Sequence, residues 1–248
     1  MTDFIAEVDR DLLVRNGIAD FDALWSLQLD AVDEPNIERG GWSSVFRLDL
    51  EEMSYYLKRQ SNHLTRSFAH PFGEPTFARE FRSIQRFQKL GIPTLQASFF
   101  GCRRVAGDYR AILLTRALDG WQDLDGWLAH WSELDHAQRQ GILCATGALA
   151  RQLHGAGQMH GCFYPKHIFL QQGPDGWRAR LIDLEKTRPL LLGRVDRVKD
   201  LEPLVRRASC WKEEEVRCLL AAYLEDESRV NAWLGQMSQR RRHKEARR

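Results

Sequence analysis

The sequence predicts an α+β chain of two lobes, strand-rich at the N-terminal end and helical beyond it. Through the first third, apolar and polar residues alternate between turn signals, whereas beyond Thr115 apolar residues recur at helical spacing. Strands and helices are therefore segregated rather than alternating around a parallel sheet. The expected boundaries are an N-lobe over 1–115 (an antiparallel sheet plus one helix), a helical C-lobe with a catalytic-loop hairpin over 116–238, and a basic tail over 239–248.

The segment Arg39-Gly40-Gly41-Trp42-Ser43-Ser44 leads into Val45–Leu50, which alternates, and Tyr55–Lys58 follows a polar turn. That pattern predicts an antiparallel hairpin. A helix is expected from Glu74 to Leu90, with Phe77, Phe81, Ile84 and Phe87 on one face, Gly91 as the stop and Pro93 after it. Strands over Thr94–Phe100 and Tyr109–Leu114 are split by Gly107-Asp108.

Two helices come next, marked by Leu124, Trp127, Leu128 and Trp131 and then by Ile142, Ala145, Leu149 and Leu153. The tryptophans read as core. One hairpin interrupts the helices, where Ile168–Leu170 and Trp177–Ile182 flank the turn Gly173-Pro174-Asp175-Gly176. Its geometry draws His160, Cys162 and His167 toward Asp183.

A chain of 248 residues with 43% hydrophobic content can bury a sizeable core. Its 36 basic and 34 acidic residues leave a net charge of +2, which gives no field for nucleic acid, and no nucleic-acid partner is expected. Five cysteines, none in a CxxC pair, read as reduced thiols of a cytosolic protein. The first residues are acidic where a signal peptide is basic, and no stretch is apolar enough to cross a bilayer, so a soluble cytoplasmic chain is expected. The run Arg240-Arg241-Arg242-His243-Lys244 with Arg247-Arg248 reads as a solvated tail or as a peripheral contact with anionic headgroups of the inner membrane.

Lys58 sits among large, half-apolar strand residues, which directs its ammonium into a cleft; a guard on a sheet edge is the other reading. Glu80 shares the row of Phe77, Ile84 and Phe87, whereas Arg79, Arg82, Arg86 and Lys89 largely take the other faces. A carboxylate on an apolar face needs a partner, and Lys58, held by it, would meet the α and β phosphates of a nucleotide. A half-exposed glutamate at the edge of the stripe is the alternative. Asp183 ends the apolar strand Arg180-Leu181-Ile182, a place for a hard oxygen ligand to Mg²⁺ or for a plain N-cap or turn carboxylate. Gly40, Gly41, Ser43 and Ser44 would fold over phosphates with free amides, or form a turn without a ligand. His154, His160, Cys162 and His167 also admit a zinc reading, although their spacing matches no zinc motif.

The run Met159-His160-Gly161-Cys162-Phe163-Tyr164-Pro165-Lys166-His167-Ile168-Phe169-Leu170, followed by Leu181-Ile182-Asp183-Leu184-Glu185-Lys186, is the most specific stretch. With the elements above, it resembles the protein-kinase-like fold and, more narrowly, the bacterial lipopolysaccharide kinase family of the WaaP/InaA type, over roughly Gly40 to Leu204. The pattern His160-x-x-x-Tyr164-x-x-His167 resembles that family's catalytic loop, with His167 where most kinases have Asn. Tyr164-Pro165-Lys166-His167-Ile168 is especially similar to the InaA branch.

The resemblance implies ATP and Mg²⁺ as cofactors and a hydroxyl acceptor, a sugar of the lipopolysaccharide core or another small molecule. By it Lys58 is the nucleotide-binding lysine, Glu80 its helix partner, and Asp183 and His167 the metal ligands. Asp200 matches a second acid that braces the catalytic loop, and Thr115–Leu118 the hinge under the adenine. Cys162 stands where an active kinase has its catalytic Asp, and a thiol lacks the fixed negative charge at neutral pH. Three readings stay open: His160 or His167 takes over, transfer is slow, or the chain is a pseudokinase that binds nucleotide without transferring phosphate.

Overall fold

The computed structural model describes residues 3–37, 40–66 and 70–245, with side chains as far as residue 242. Arg39, Arg247 and Arg248 lie outside the described residues. The chain divides into two compact units, Met1–Phe87 with Leu95–Asp119, and Gln88–Thr94 with Gly120–Arg248.

The first unit runs β1 (Phe4–Ile5), α1 (Glu7–Arg15), α2 (Phe21–Ser26), β2 (Trp42–Leu50), β3 (Met53–Ser61), β4 (Leu64–Thr65), β5 (Glu74–Pro75), α3 (Thr76–Lys89), β6 (Ala97–Val105) and β7 (Asp108–Arg116). Five of these strands form one antiparallel sheet in the order β1-β6-β7-β3-β2, with Lys58 opposite Val45 on one side and Leu113 on the other. Residues 111–115 of β7 are all buried, because helices cover both faces of this central strand. On one face Leu13, Phe21 and Leu24 meet Phe46, Leu48, Tyr55 and Leu57. On the other, Phe81 of α3 stacks on Phe100, ring centroids 4.4 Å apart.

The expected hairpin is present as β2 and β3, and the expected helix as α3. The helix begins at Thr76 rather than Glu74, because Glu74 and Pro75 pair with β4. The second expected strand pair is present as β6 and β7. Its start moves to Ala97, because Thr94 instead donates its hydroxyl to the Leu181 carbonyl at 2.9 Å. Helices α1 and α2 are not legible as elements in the sequence. A buried polar knot secures α1 to the sheet, in which Tyr55 Oη (2.9 Å) and Arg116 Nη2 (2.6 Å) both donate to Asp9 Oδ1. Burial, and then Asp9, pushes the Tyr55 phenol up to about 12.

The second unit continues through β8 (Gln122–Asp123), α4 (Leu124–Ala129), α5 (His136–Gly155), β9 (Gln158–Met159), β10 (Ile168–Gly173), β11 (Gly176–Leu181), β12 (Arg188–Pro189), α6 (Arg194–Arg207), α7 (Glu213–Leu224) and α8 (Val230–Glu245). Asp135 opens α5 with a reciprocal capping box to Gln138. Gly147 lets α5 lie on α7, since a Cβ there would sit 2.5 Å from the Leu219 carbonyl oxygen. Trp131 is buried against Trp211, and Trp127 meets Trp177 edge-on. The hairpin β10–β11 pairs Ile168 with Leu181, which fixes both of its ends as the turn residues predict. All five cysteines are free. No helix among the described residues is long and apolar enough to cross a membrane.

Candidate functional site

In the first unit, β3 presents Tyr55, Leu57 and Arg59 to the α1–α2 core and Lys58 and Gln60 to the opposite face, as the period-2 pleat requires. Gln60 fixes α3: its side-chain oxygen accepts from the Phe77 amide (2.9 Å) and the Thr76 hydroxyl (2.7 Å), and its NH₂ donates to the His63 carbonyl (2.7 Å). With the first turn of α3 so held, Glu80 one turn later reaches Lys58, whose Nζ donates to Oε1 at 2.7 Å. The side chains are 16% and 4% exposed, so this is a desolvated pair and not an edge guard. The sequence reading did not single out Gln60; its place two residues from Lys58 on the same strand face was the available signal.

The glycine-rich segment differs from its expectation. Ala31 and Asn36 bridge Phe46 and Ser43, so an extended stretch lies antiparallel to β2 and the glycines sit in the loop between. The Ser43 amide donates to the Asn36 carbonyl at 2.8 Å, and Ser43 and Ser44 belong to a strand, which corrects the expectation of free amides there. Ser43 pairs with Gln60 and shares the Lys58 face, whereas Ser44 shares the face of Phe46 and Leu48, with its hydroxyl buried in the core. Ser44 is therefore turned away from Lys58. Gly41 is required for packing, since a Cβ would fall 2.2 Å from the Ser61 carbonyl oxygen, and Gly40 takes φ +75°.

In the second unit, Asp200 of α6 organises the loop after β9. Its Oδ2 accepts from the His160 amide at 2.7 Å and its Oδ1 from the Gly161 amide at 2.8 Å. His154 Nε2 approaches Oδ2 at 3.3 Å, and its Nδ1 lies 2.9 Å from the Tyr223 hydroxyl. These partners explain the buried His154 without a metal. The described residues gather no group of three or more His, Cys, Asp or Glu able to hold one, so a protein-only zinc cluster is not formed.

His160 is fully buried and both ring nitrogens are engaged: Nε2 lies 2.9 Å from the Ile182 carbonyl, and Nδ1 accepts from the Cys162 amide at 3.3 Å. Carbonyl on one side and amide on the other fix the Nε2–H tautomer. Burial pushes its pKa down, against the opposing charges of Asp200 and Asp183. His160 thus acts as a strut between the loop and the end of β11, with neither ring nitrogen turned to an acceptor hydroxyl, which weighs against the reading in which it takes over from the missing Asp.

His167 is arranged differently. Its Nδ1 donates to the Cys162 carbonyl at 2.8 Å, and its Nε2 faces Asp183 Oδ2 at 3.1 Å. Burial outweighs the pull of Asp183 and holds the imidazole below the usual histidine value. With Nδ1–H given to the Cys162 carbonyl, a neutral ring presents its Nε2 lone pair to the carboxylate, whereas a protonated ring donates Nε2–H to it. In the neutral form His167 and Asp183 would together hold a cation, which would supply charge neutralisation for phosphate oxygens. Asp183 takes a left-handed backbone (φ 58°, ψ 63°), its side chain makes no cap hydrogen bond, and it is 43% exposed. Asp183 occupies the N-cap position of the 3-10 turn Leu184–Lys186, but its carboxylate does not cap it.

Cys162 is buried beside these groups, and the Lys186 ammonium lies against its thiol. The thiol foremost, then Glu185 and Asp183, push Lys186 up. Main-chain packing is equally close, since a Cβ on Gly161 (φ +78°) would lie 2.6 Å from the Lys186 carbonyl oxygen.

The sheet unit with its lysine–glutamate pair, and the helical unit with its braced loop and acid after a hairpin, define a kinase-like protein. A solved structure described as WaaP in complex with acyl carrier protein has this fold, with a TM-score of 0.68 over 97% of this chain and 99% of that one at 22% identity. The Protein InaA of Escherichia coli (strain K12) is 30% identical over 171 residues, 68% of this chain and 79% of that protein. Residues 22–223 match the Lipopolysaccharide kinase (Kdo/WaaP) family, and the chain belongs to it.

Proposed function

We propose that the chain is an ATP- and Mg²⁺-dependent phosphotransferase acting on a sugar hydroxyl, with lipopolysaccharide core oligosaccharide as the acceptor class. The observation that carries this reading is the contact of His167 Nε2 with Asp183 Oδ2 at 3.1 Å, where Asp183 ends the hairpin in a left-handed conformation. Mg²⁺ is usually held by one or two carboxylates with the rest supplied by phosphate and water, and Asp183 would supply the carboxylate. When bound, the ion neutralises charge on the phosphates. Lys58, fixed by Glu80, supplies a positive charge for phosphate oxygens, and Gly40, Gly41 and Ser43 stand at the loop into the same strand pair. Thr115–Leu118 would meet the base. The free thiols and the proposed use of ATP support a cytoplasmic location, and the basic run from Arg240 would meet anionic lipid at the inner membrane.

Cys162 supports a second reading, nucleotide binding without transfer, because no carboxylate orients an acceptor hydroxyl at that position. Transfer from labelled ATP to purified core oligosaccharides tests the first: Mg²⁺-dependent incorporation by the wild type that is absent in Asp183→Ala is expected. ATP binding with no incorporation into any core acceptor would leave the second reading standing instead.

A further inference from the structure

Leu191, Leu192 and Val195 are 77%, 66% and 60% exposed, a cluster of large apolar side chains at the entry to α6. Their exposure is built in. Asp196, only 1% exposed, accepts from the Leu191 amide (2.9 Å) and the Leu192 amide (3.0 Å), and Arg188 grips the same carboxylate through Nη2 (2.8 Å) and Nη1 (3.1 Å). The Leu190 amide is held by the Gly157 carbonyl at 2.8 Å. The backbone polar groups of the tip are thus satisfied from below, and its side chains project outward. Exposed apolar clusters of this kind mark a surface that meets a partner.

Charge identifies the partner. Between Arg188 and Leu201 the acids are Asp196 and Asp200, each 1% exposed and each hydrogen-bonded inward, whereas Arg194 and Lys199 are exposed. Val195 and Lys199 lie one turn apart on the same face of α6. An apolar tip flanked by the exposed Arg194 and Lys199, with no exposed acid between Arg188 and Leu201, fits a bilayer that carries anionic headgroups, since acyl chains receive the leucines and headgroups the cations. We propose that Leu190–Lys199 is a membrane-docking element that inserts Leu191, Leu192 and Val195 into an anionic lipid surface. It is separate from the basic run at Arg240 and independent of phosphotransfer, so a chain that fails to bind lipid could still be a kinase.

Flotation of the full chain with phosphatidylcholine vesicles, with and without phosphatidylglycerol, tests it. The wild type floats with the anionic vesicles, and binding weakens with added salt. Leu191→Ser/Leu192→Ser lowers the partition coefficient at least about tenfold with an unchanged thermal midpoint, because apolar burial is lost while the exposed positions leave the core intact. Lys199→Glu weakens binding to anionic vesicles only, and Arg241→Gln/Arg242→Gln leaves the leucine dependence in place. The proposal is overturned if the leucine variant floats as well as the wild type, or if lipid binding disappears with the Arg241/Arg242 change alone. It is also overturned if the wild type ignores vesicles and sediments as a dimer that the leucine variant dissociates, which would give the face to a second copy.

Discussion

His167 Nε2 faces Asp183 Oδ2 at 3.1 Å while His167 Nδ1 donates to the Cys162 carbonyl, so the imidazole is anchored on one side and turned to a carboxylate on the other. Both side chains would be available to hold a cation when the ring is neutral. Asp183→Ala is therefore expected to abolish Mg²⁺-dependent stabilisation by ATP, and His167→Ala to weaken Mg²⁺ binding by at least about tenfold. Calorimetric titration with the metal checks both; equal Mg²⁺ affinity in wild type and Asp183→Ala would remove the metal assignment.

Lys58 and Glu80 are buried together, so removing the ammonium leaves a carboxylate without its charge partner. Lys58→Met should cost about 3 kcal/mol of stability in urea unfolding, and Glu80→Gln less, because a hydrogen bond survives. Both should weaken ATP binding in a thermal-shift assay. A Lys58→Met protein as stable as the wild type and equally responsive to ATP would argue against the pair in both roles.

At position 162 the Lys186 ammonium already lies against the side chain, so a carboxylate there meets a counter-charge despite burial. Cys162→Asp should fold and should raise phosphate transfer to core oligosaccharide at least about tenfold, since orienting the acceptor hydroxyl is worth that much or more. A fall in activity would mean that the thiol belongs to a working site.

Asp196 sets a pH dependence. The Arg188 guanidinium first, and then the Leu192 and Leu191 amides, hold its carboxyl well below the usual carboxylate range. A depressed value means that its stabilisation is complete above the unfolded-state pKa, about 3.9 for Asp, and is lost as pH falls through the lower folded value. Asp196→Asn should thus be less stable than wild type by about 2–4 kcal/mol at pH 7, and the gap should close below about pH 4. Urea midpoints across that range measure it; a gap independent of pH would show that charge is not the cause.

Much of this architecture is legible because its signals are local. The alternation in Val45–Leu50, the stripe Phe77–Phe81–Ile84–Phe87 and the turn Gly173–Gly176 each state a period or a dihedral within a few residues. The N-terminal helices were not legible, because α1 is short and is secured by Asp9 meeting Tyr55 and Arg116, partners 46 and 107 positions away. Ser44 illustrates the opposite error: it was grouped with its sequence neighbour Ser43, but adjacent strand residues point to opposite faces.

By itself the sequence determined which residue types stood on which local faces: Lys58 on a strand, Glu80 on an apolar helix stripe and Asp183 after a hairpin. Tertiary structure alone decided their partners. His160 and His167 belong to one short loop, yet the Ile182 carbonyl takes Nε2–H of the first, and the Cys162 carbonyl takes Nδ1–H of the second. One imidazole is thereby closed into a strut and the other opened toward Asp183, because a ring nitrogen's role is set by the atom placed against it.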